Sequence, residues 1–339
     1  LPWPGPGGDI NGNVARARRV AAACARNGGA LMRHITTRNE ARDIDQIRLA
    51  LGERRLSYWG TSYGTYAGAV YAMMFPDRTD RIVLDSSDDP DPRRVARGWV
   101  ANFAVGAEDR FPDFGGWAAA RDSVYGLGAT PTAVRITYLR LAAVLDRTPL
   151  PGLTGDLLRA LTFNTLYSND GFPRLAELIH AALTSGPLPS IPLPPADQSQ
   201  NFMAAQTATA CNDVTWPRSI GSYVRAVARN RAAYPLTGGM PANIFPCAFW
   251  PYRPAEAPTQ ITSTGPSNIL MIQNRRDPAT PYAAALKMRA ALGDRARMVT
   301  VDSGGHGAYL ANGNACGDHT VSTFLAHGSR PRHDTSCRP

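Results

Sequence analysis

The chain contains a single lysine, Lys287, and no run of basic residues interleaved with aromatics. Its formal charge of +9 is carried almost wholly by scattered arginines, which fits a bias toward GC-rich codons better than a phosphate-binding surface. Nucleic acid is therefore not an expected partner. No stretch reaches the ~18 consecutive apolar residues that a membrane-crossing helix needs, so no membrane span is expected. No His/Cys cluster has zinc spacing, and Gly7-Gly8 lacks the strand and helix of a dinucleotide fingerprint. No metal or other cofactor is expected. A starting Met and a signal peptide are also missing. The chain opens Leu1-Pro2-Trp3-Pro4 and reads as a mature, processed or truncated product.

What is present is the composition of a globular protein. The 339 residues are 44% hydrophobic and 19% charged, enough for a sizeable core and for more than one compact unit. Five cysteines (Cys24, Cys211, Cys247, Cys316 and Cys337) leave at least one unpaired within the chain. Cys211 and Cys247 bracket one segment, and Cys316 and Cys337 bracket the C-terminal tail. Such positions suit staples in an exported protein, and composition alone equally allows five reduced thiols.

Hydrophobic periodicity organises the chain into three parts. After a Pro/Gly-rich arm over 1–13, helical patterns run over 14–26 and 38–51, the second capped by Thr36 or Thr37 and stopped by Gly52. A short strand over 56–59 leads into Gly60-Thr61-Ser62-Tyr63-Gly64, then a small-residue helix over 65–75 and a strand over 81–84. Strand, tight turn, helix, strand is a right-handed crossover and implies a parallel sheet. The middle differs. Helical stretches at 95–106, 133–145, 172–183 and 222–233 are separated by Pro-rich pieces such as 187–195, with no strand alternation. Strand patterns return at 268–273 and 297–301, with helices over 282–292 and 320–327. The expected domains are 1–89 and 261–339, two parts of one α/β core, and 90–260, a mainly helical insertion.

A serine hydroxyl is a poor nucleophile at neutral pH. It needs a base, a third group that fixes the base's tautomer, and donors for the developing oxyanion. Gly60-Thr61-Ser62-Tyr63-Gly64 fits the G-x-S-x-G nucleophile elbow, and its setting between strand and helix is the one that motif requires. Ser62 is the expected nucleophile and the backbone N–H of Tyr63 one oxyanion donor. Of six histidines, His306 stands alone in Gly304-Gly305-His306-Gly307, just past a strand, where flanking glycines let a loop carry an imidazole over the strand end. It is the expected base. Two acids follow strands, Asp277 and Asp85. Asp277 is favoured because it keeps the chain order Ser, Asp, His.

Several stretches together resemble the tripeptidyl aminopeptidase-like serine peptidases, relatives of prolyl aminopeptidase within the α/β-hydrolases. They are Ser57-Tyr58-Trp59-Gly60-Thr61-Ser62-Tyr63-Gly64-Thr65-Tyr66, Arg81-Ile82-Val83-Leu84-Asp85-Ser86, Asp277-Pro278-Ala279-Thr280-Pro281, Gly305-His306-Gly307, and the tail with Cys316 and Thr335-Ser336-Cys337. The resemblance runs from about residue 20 to the end. It implies an exported bacterial exopeptidase acting near free N-termini, with the triad on Ser62, Asp277 and His306 and a helical cap over 90–260. It also implies pairing of Cys211 with Cys247 and Cys316 with Cys337, leaving Cys24 free or bonded elsewhere.

Such an enzyme must hold the ammonium of its peptide substrate, and Asp213 and Asp170 are the candidate carboxylates. The sequence departs from the family at the front, where the first strands and a Gly-rich oxyanion loop are expected. Pro4-Gly5-Pro6-Gly7-Gly8 follows no strand and is not read as that loop. A missing N-terminal segment of the same protein is thus an expected partner. Two alternatives stand: an esterase or lipase with the same triad, and a truncated, inactive fragment that at most binds.

Overall fold

The computed structural model describes residues 2–190 and 195–338. Residues 191–194 of the Pro-rich piece over 187–195, and Leu1 of the opening arm, lie outside the described residues. Five strands form one parallel sheet: β1 (Leu56–Thr61), β2 (Thr79–Asp85), β3 (Ile269–Arg276), β4 (Ala296–Gly304) and β5 (Thr335–Cys337), in that spatial order. Before and between β1 and β2 lie α1 (Asn11–Asn27), α2 (Thr37–Ala50) and α3 (Tyr63–Met74). The long β2–β3 connection carries α4 (Arg97–Ala119), α5 (Asp122–Tyr125), α6 (Pro131–Arg147), α7 (Gly155–Thr165), α8 (Phe172–Thr184), α9 (Ala196–Asp213) and α10 (Ile220–Ala233). Helix α11 (Tyr282–Leu292) links β3 to β4, and α12 (Ala315–His327) precedes β5.

The sheet is buried on both faces, as parallel sheets are. Side chains alternate across it. Ile82, Leu84, Ile269 and Met271 point to one side, where Tyr66, Val70, Ala285 and Met288 of α3 and α11 cover them. Val83, Leu270, Ile272, Val299 and Val301 point to the other, under Val321 and Phe324 of α12. The helical insertion has an apolar core of its own, with Phe111, Phe114, Tyr138, Leu158, Phe172 and Ile179 from four helices. The Pro/Gly-rich arm packs away from the sheet. Ile10 and Ala17 lie with Val227 and Ile244, and Pro2 accepts a hydrogen bond from Asn243 at 2.9 Å.

Three departures from the sequence reading have physical causes. Helix α4 runs on past Gly106, Pro112 and Gly115, which read as breakers. At Gly106 the absent side chain is what lets the helix approach, because a Cβ there would stand 2.2 Å from the Pro278 carbonyl oxygen. Strand β5 is only three residues long, below what periodicity can detect. It is fixed by pairing with Val299–Val301 and by a disulfide from Cys316 to Cys337. Helices α7 and α9 lie outside the helical stretches expected from the sequence. Thr154 caps α7 by accepting from the Leu157 N–H at 3.1 Å, and Cys211 at the end of α9 is bonded to Cys247.

Candidate active site

Every candidate catalytic side chain leaves the sheet at the carboxyl end of a strand. Ser62 follows β1, Asp85 ends β2, Asp277 follows β3, and His306 lies just past β4. Consecutive neighbouring strands therefore bring together residues more than two hundred positions apart.

Ser62 has φ +61° and ψ −125°, the strained conformation of a sharp strand-to-helix turn. Its glycines are required by close approach. A Cβ on Gly60 would stand 2.5 Å from the Gly64 carbonyl oxygen, and one on Gly68 would enter the Tyr58 ring. The turn is tied down on its backbone side, with the Ser62 N–H on the Asp85 carbonyl at 3.0 Å and its carbonyl accepting from Thr65 N–H at 2.8 Å and Thr65 Oγ1 at 2.6 Å. The side-chain hydroxyl of Ser62 is left without a hydrogen bond among the described residues, and none joins it to His306.

His306 Nδ1 sits 3.0 Å from both oxygens of Asp277. Asp277 is buried and also accepts from the N–H groups of Ala279 and Thr280 at 2.8 Å and from Thr280 Oγ1 at 3.0 Å. Those partners aim the carboxylate, and the carboxylate fixes the imidazole tautomer with Nε2 free to accept. Burial by itself would lower the pKa of His306. The charge and hydrogen bond of Asp277 outweigh it, helped by Asp88 and Asp85, and the net direction is upward. The loop is clamped further. His306 N–H donates to the Tyr167 carbonyl at 2.9 Å, and the Tyr167 ring meets the imidazole edge-on at 5.0 Å. Asn274 donates to the carbonyls of Gly305 and Gly307 at 3.0 and 3.1 Å.

Asp85 makes a different set of contacts. It accepts the N–H groups of Ala308 and Tyr309 at 2.8 and 3.0 Å and makes no hydrogen bond to His306 among the described residues. It holds the loop that carries His306, and Gly307 of that loop lies near the elbow, where an added Cβ would stand 3.9 Å from Thr61 Cγ2.

Asp213 is buried, with its oxygens accepting from Thr37 N–H at 2.9 Å and Thr37 Oγ1 at 2.5 Å. Burial pushes its carboxyl up to about 6, the Thr37 hydrogen bonds opposing. Asp170 is exposed on the short turn three residues beyond Tyr167. Residues not singled out from the sequence also lie here. Asp88 is 4% exposed. Burial pushes its carboxyl up to about 7, against the pull of His306. Tyr167, Asn274 and Glu40 complete the surroundings. The string Asp85-Ser86-Ser87-Asp88-Asp89 at a strand's carboxyl end was the available signal for Asp88. Nothing local marks Tyr167.

Helix α4 joins the insertion to these loops through ions. Buried Arg110 pairs with Asp113 and donates to the Leu166 carbonyl at 3.1 Å. Asp113 accepts in turn from Arg276, next to Asp277, at 2.9 Å. Both disulfides are formed, and Cys24 is unpaired among the described residues.

A parallel sheet crossed by helices, an elbow at Ser62 and acid and base loops on the next strands are the architecture of the α/β-hydrolase fold. Residues 222–337 match a family model described as TAP-like protein. It is 32% identical over 348 residues to a tripeptidyl aminopeptidase of Streptomyces coelicolor, covering 100% of this chain and 64% of that protein. It is 28% identical over 336 residues to the serine protease Hip1 of Mycobacterium tuberculosis (91% and 63% covered). It is 30% identical over 351 residues to a carboxylesterase B of the same organism (95% and 64%). The chain thus spans a little under two thirds of the length of these curated relatives.

Proposed function

We propose that the chain is a serine exopeptidase that hydrolyses peptide bonds near a free N-terminus. Ser62 is the nucleophile, His306 the general base and acid, and Asp277 the orienting carboxylate. His306 takes the Ser62 proton as the hydroxyl attacks the scissile carbonyl, then returns it to the leaving amine. The Tyr63 N–H faces the oxyanion. Water admitted to the acyl-enzyme repeats the cycle with His306 again as base. The observation that carries the reading is the doubly accepting Asp277 on His306 Nδ1, on the strands beside a Ser62 held at φ +61°.

The segment 90–260 acts as a cap between core parts 1–89 and 261–339. The substrate ammonium is received by a carboxylate on that cap. Asp170, exposed near Tyr167, has its oxygens free of protein donors among the described residues, whereas Asp213 offers only the lone pairs that Thr37 leaves. The two disulfides support export from the cytoplasm.

Similarity to a carboxylesterase favours a second reading, ester hydrolysis by the same triad. Turnover of tripeptidyl- and aminoacyl-anilides beside short acyl esters separates the two. Activity on esters alone would remove the peptidase reading. Asp170→Asn and Asp213→Asn should raise KM for free-amine peptides and leave KM for N-acylated ones unchanged.

A further inference from the structure

The residue after the nucleophile is tied to three other parts of the molecule. The Tyr63 phenol lies 2.6 Å from Glu40 Oε2 and 2.8 Å from Thr37 Oγ1. Thr37 Oγ1 lies 2.5 Å from Asp213 Oδ2. Glu40 and Thr37 belong to the first turn of α2, and Asp213 to the last turn of α9. Trp99 of α4 packs edge-on against the Tyr63 ring at 6.2 Å. One side chain of the elbow thus anchors into the core and into the helical insertion at once.

Hydrogen counting constrains this chain of contacts. It has three oxygen–oxygen contacts, Glu40–Tyr63, Tyr63–Thr37 and Thr37–Asp213. A phenol and a threonine hydroxyl supply one hydrogen each, and an ionised carboxylate supplies none. Three hydrogen bonds therefore require a third proton, on Glu40 or Asp213. Burial raises the pKa of both carboxyls, in agreement with that count. The other charged or titratable groups around the pair include Asp43, Arg38, Arg33 and His34 on and before α2, Tyr58 on β1, Tyr66 on α3, Arg97 on α4, and Arg253 and Glu256.

We infer that Tyr63 is a positioning residue, whose phenol, clamped by Thr37 and a Glu40/Asp213 pair sharing one proton, fixes the direction of the N–H that follows Ser62. That N–H opens α3, where no helical carbonyl can satisfy it, so it is available to an oxyanion. The elbow backbone is held at Ser62, by Asp85 and Thr65, and none of those bonds reaches Tyr63. A ring bonded at its far end supplies a lever arm. The inference rests on the proposed serine-hydrolase reading for its catalytic consequence, but not for its mechanical one.

Tyr63→Phe and Thr37→Val are expected to lower kcat about tenfold or more with KM little changed, a fraction of what losing an oxyanion donor costs. Thr37→Ser keeps the hydroxyl and should restore turnover. Loss of the shared proton at alkaline pH should lower kcat, and Glu40→Gln, which supplies its hydrogens at every pH, should remove that decline. Amide hydrogen exchange over residues 60–66 should quicken in Tyr63→Phe while β2 and β3 exchange as before. The inference is overturned if Tyr63→Phe leaves kcat within twofold of the parent, if Thr37→Ser is as damaged as Thr37→Val, or if elbow exchange is unchanged. A parent chain that turns over nothing and leaves Ser62 unlabelled by a fluorophosphonate, yet loosens at the elbow in Tyr63→Phe, sinks the proposed function and supports the clamp.

Discussion

The rim of the sheet and the helical insertion above it are held together by different forces. At the rim, buried polar groups hold loops that carry reactive side chains. Asp85 caps the His306 loop, Asn274 holds its glycine carbonyls, and Thr65 grips the backbone of Ser62. The insertion between α4 and α8 is held by apolar packing around Phe111, Phe114 and Phe172. The two regions meet at the Gly106–Pro278 contact, at the Arg110–Asp113–Arg276 ions, at Tyr167 against His306 and at Trp99 against Tyr63, among other places. Directional bonds place atoms to fractions of an ångström, whereas apolar packing supplies free energy without direction. Function is expected to be concentrated in the first region and bulk stability in the second.

The comparison breaks most sharply at Ser62. Ser62→Ala should cut turnover about 10⁶-fold and abolish fluorophosphonate labelling while leaving the denaturation midpoint unchanged. A stability loss equal to that of a core truncation would contradict the separation of roles.

Asp277→Asn should lower kcat about 10⁴-fold, since an amide cannot fix the same tautomer. Its pH profile sharpens the test. On the proposed mechanism the working base is the neutral imidazole, so kcat/KM should rise with pH through the His306 pKa, which stands above the ordinary histidine value. Without the Asp277 carboxylate the downward effect of burial is opposed only by Asp88 and Asp85, so the acid limb of the variant should move to lower pH. A limb that stays in place would mean that Asp277 does not govern His306.

The contact between the regions can be struck directly. Gly106→Val places carbon where the Pro278 oxygen stands, at 2.2 Å already for the first added atom. Overpacking of this kind costs about 1–3 kcal/mol. Because the displaced loop carries Asp277, kcat should fall as well, and stopped-flow kinetics beside urea melts would register both. Loss of stability alone would show that the insertion does not bear on the acid.

The smallest effect on turnover belongs to the tail. Cys316 and Cys337 close a loop with a separation of 21 residues. Loss of such a crosslink removes about 3 kcal/mol, largely through the unfolded chain. Cys316→Ser with Cys337→Ser should lower the urea midpoint and leave kcat/KM of the folded protein near the parent value.

Much of this was legible before any coordinates. Short apolar runs next to Gly-rich turns marked β1 to β4. The G-x-S-x-G elbow, the Gly-flanked His306 and the strand-end Asp277 selected the candidate triad by chain order. The break-prone composition of α4 concealed its length, because a glycine that permits close packing looks the same in sequence as one that ends a helix. Tyr167 and Asn274 carried no local signature, and Asp88 was one acid among several in its string.

The linear chain determined which residues have the chemistry and which strand ends present them, since periodicity and turn composition are local properties. Chain order favoured Asp277 over Asp85, but only the tertiary structure set its oxygens 3.0 Å from His306 Nδ1 and showed that Gly106 marks a contact rather than a stop. It also decided that Glu40, Thr37 and Asp213, spread over 176 positions, join in one chain of contacts with the Tyr63 phenol. Each of these is a distance between remote segments, and distances between remote segments are set by packing, which no short window of sequence encodes.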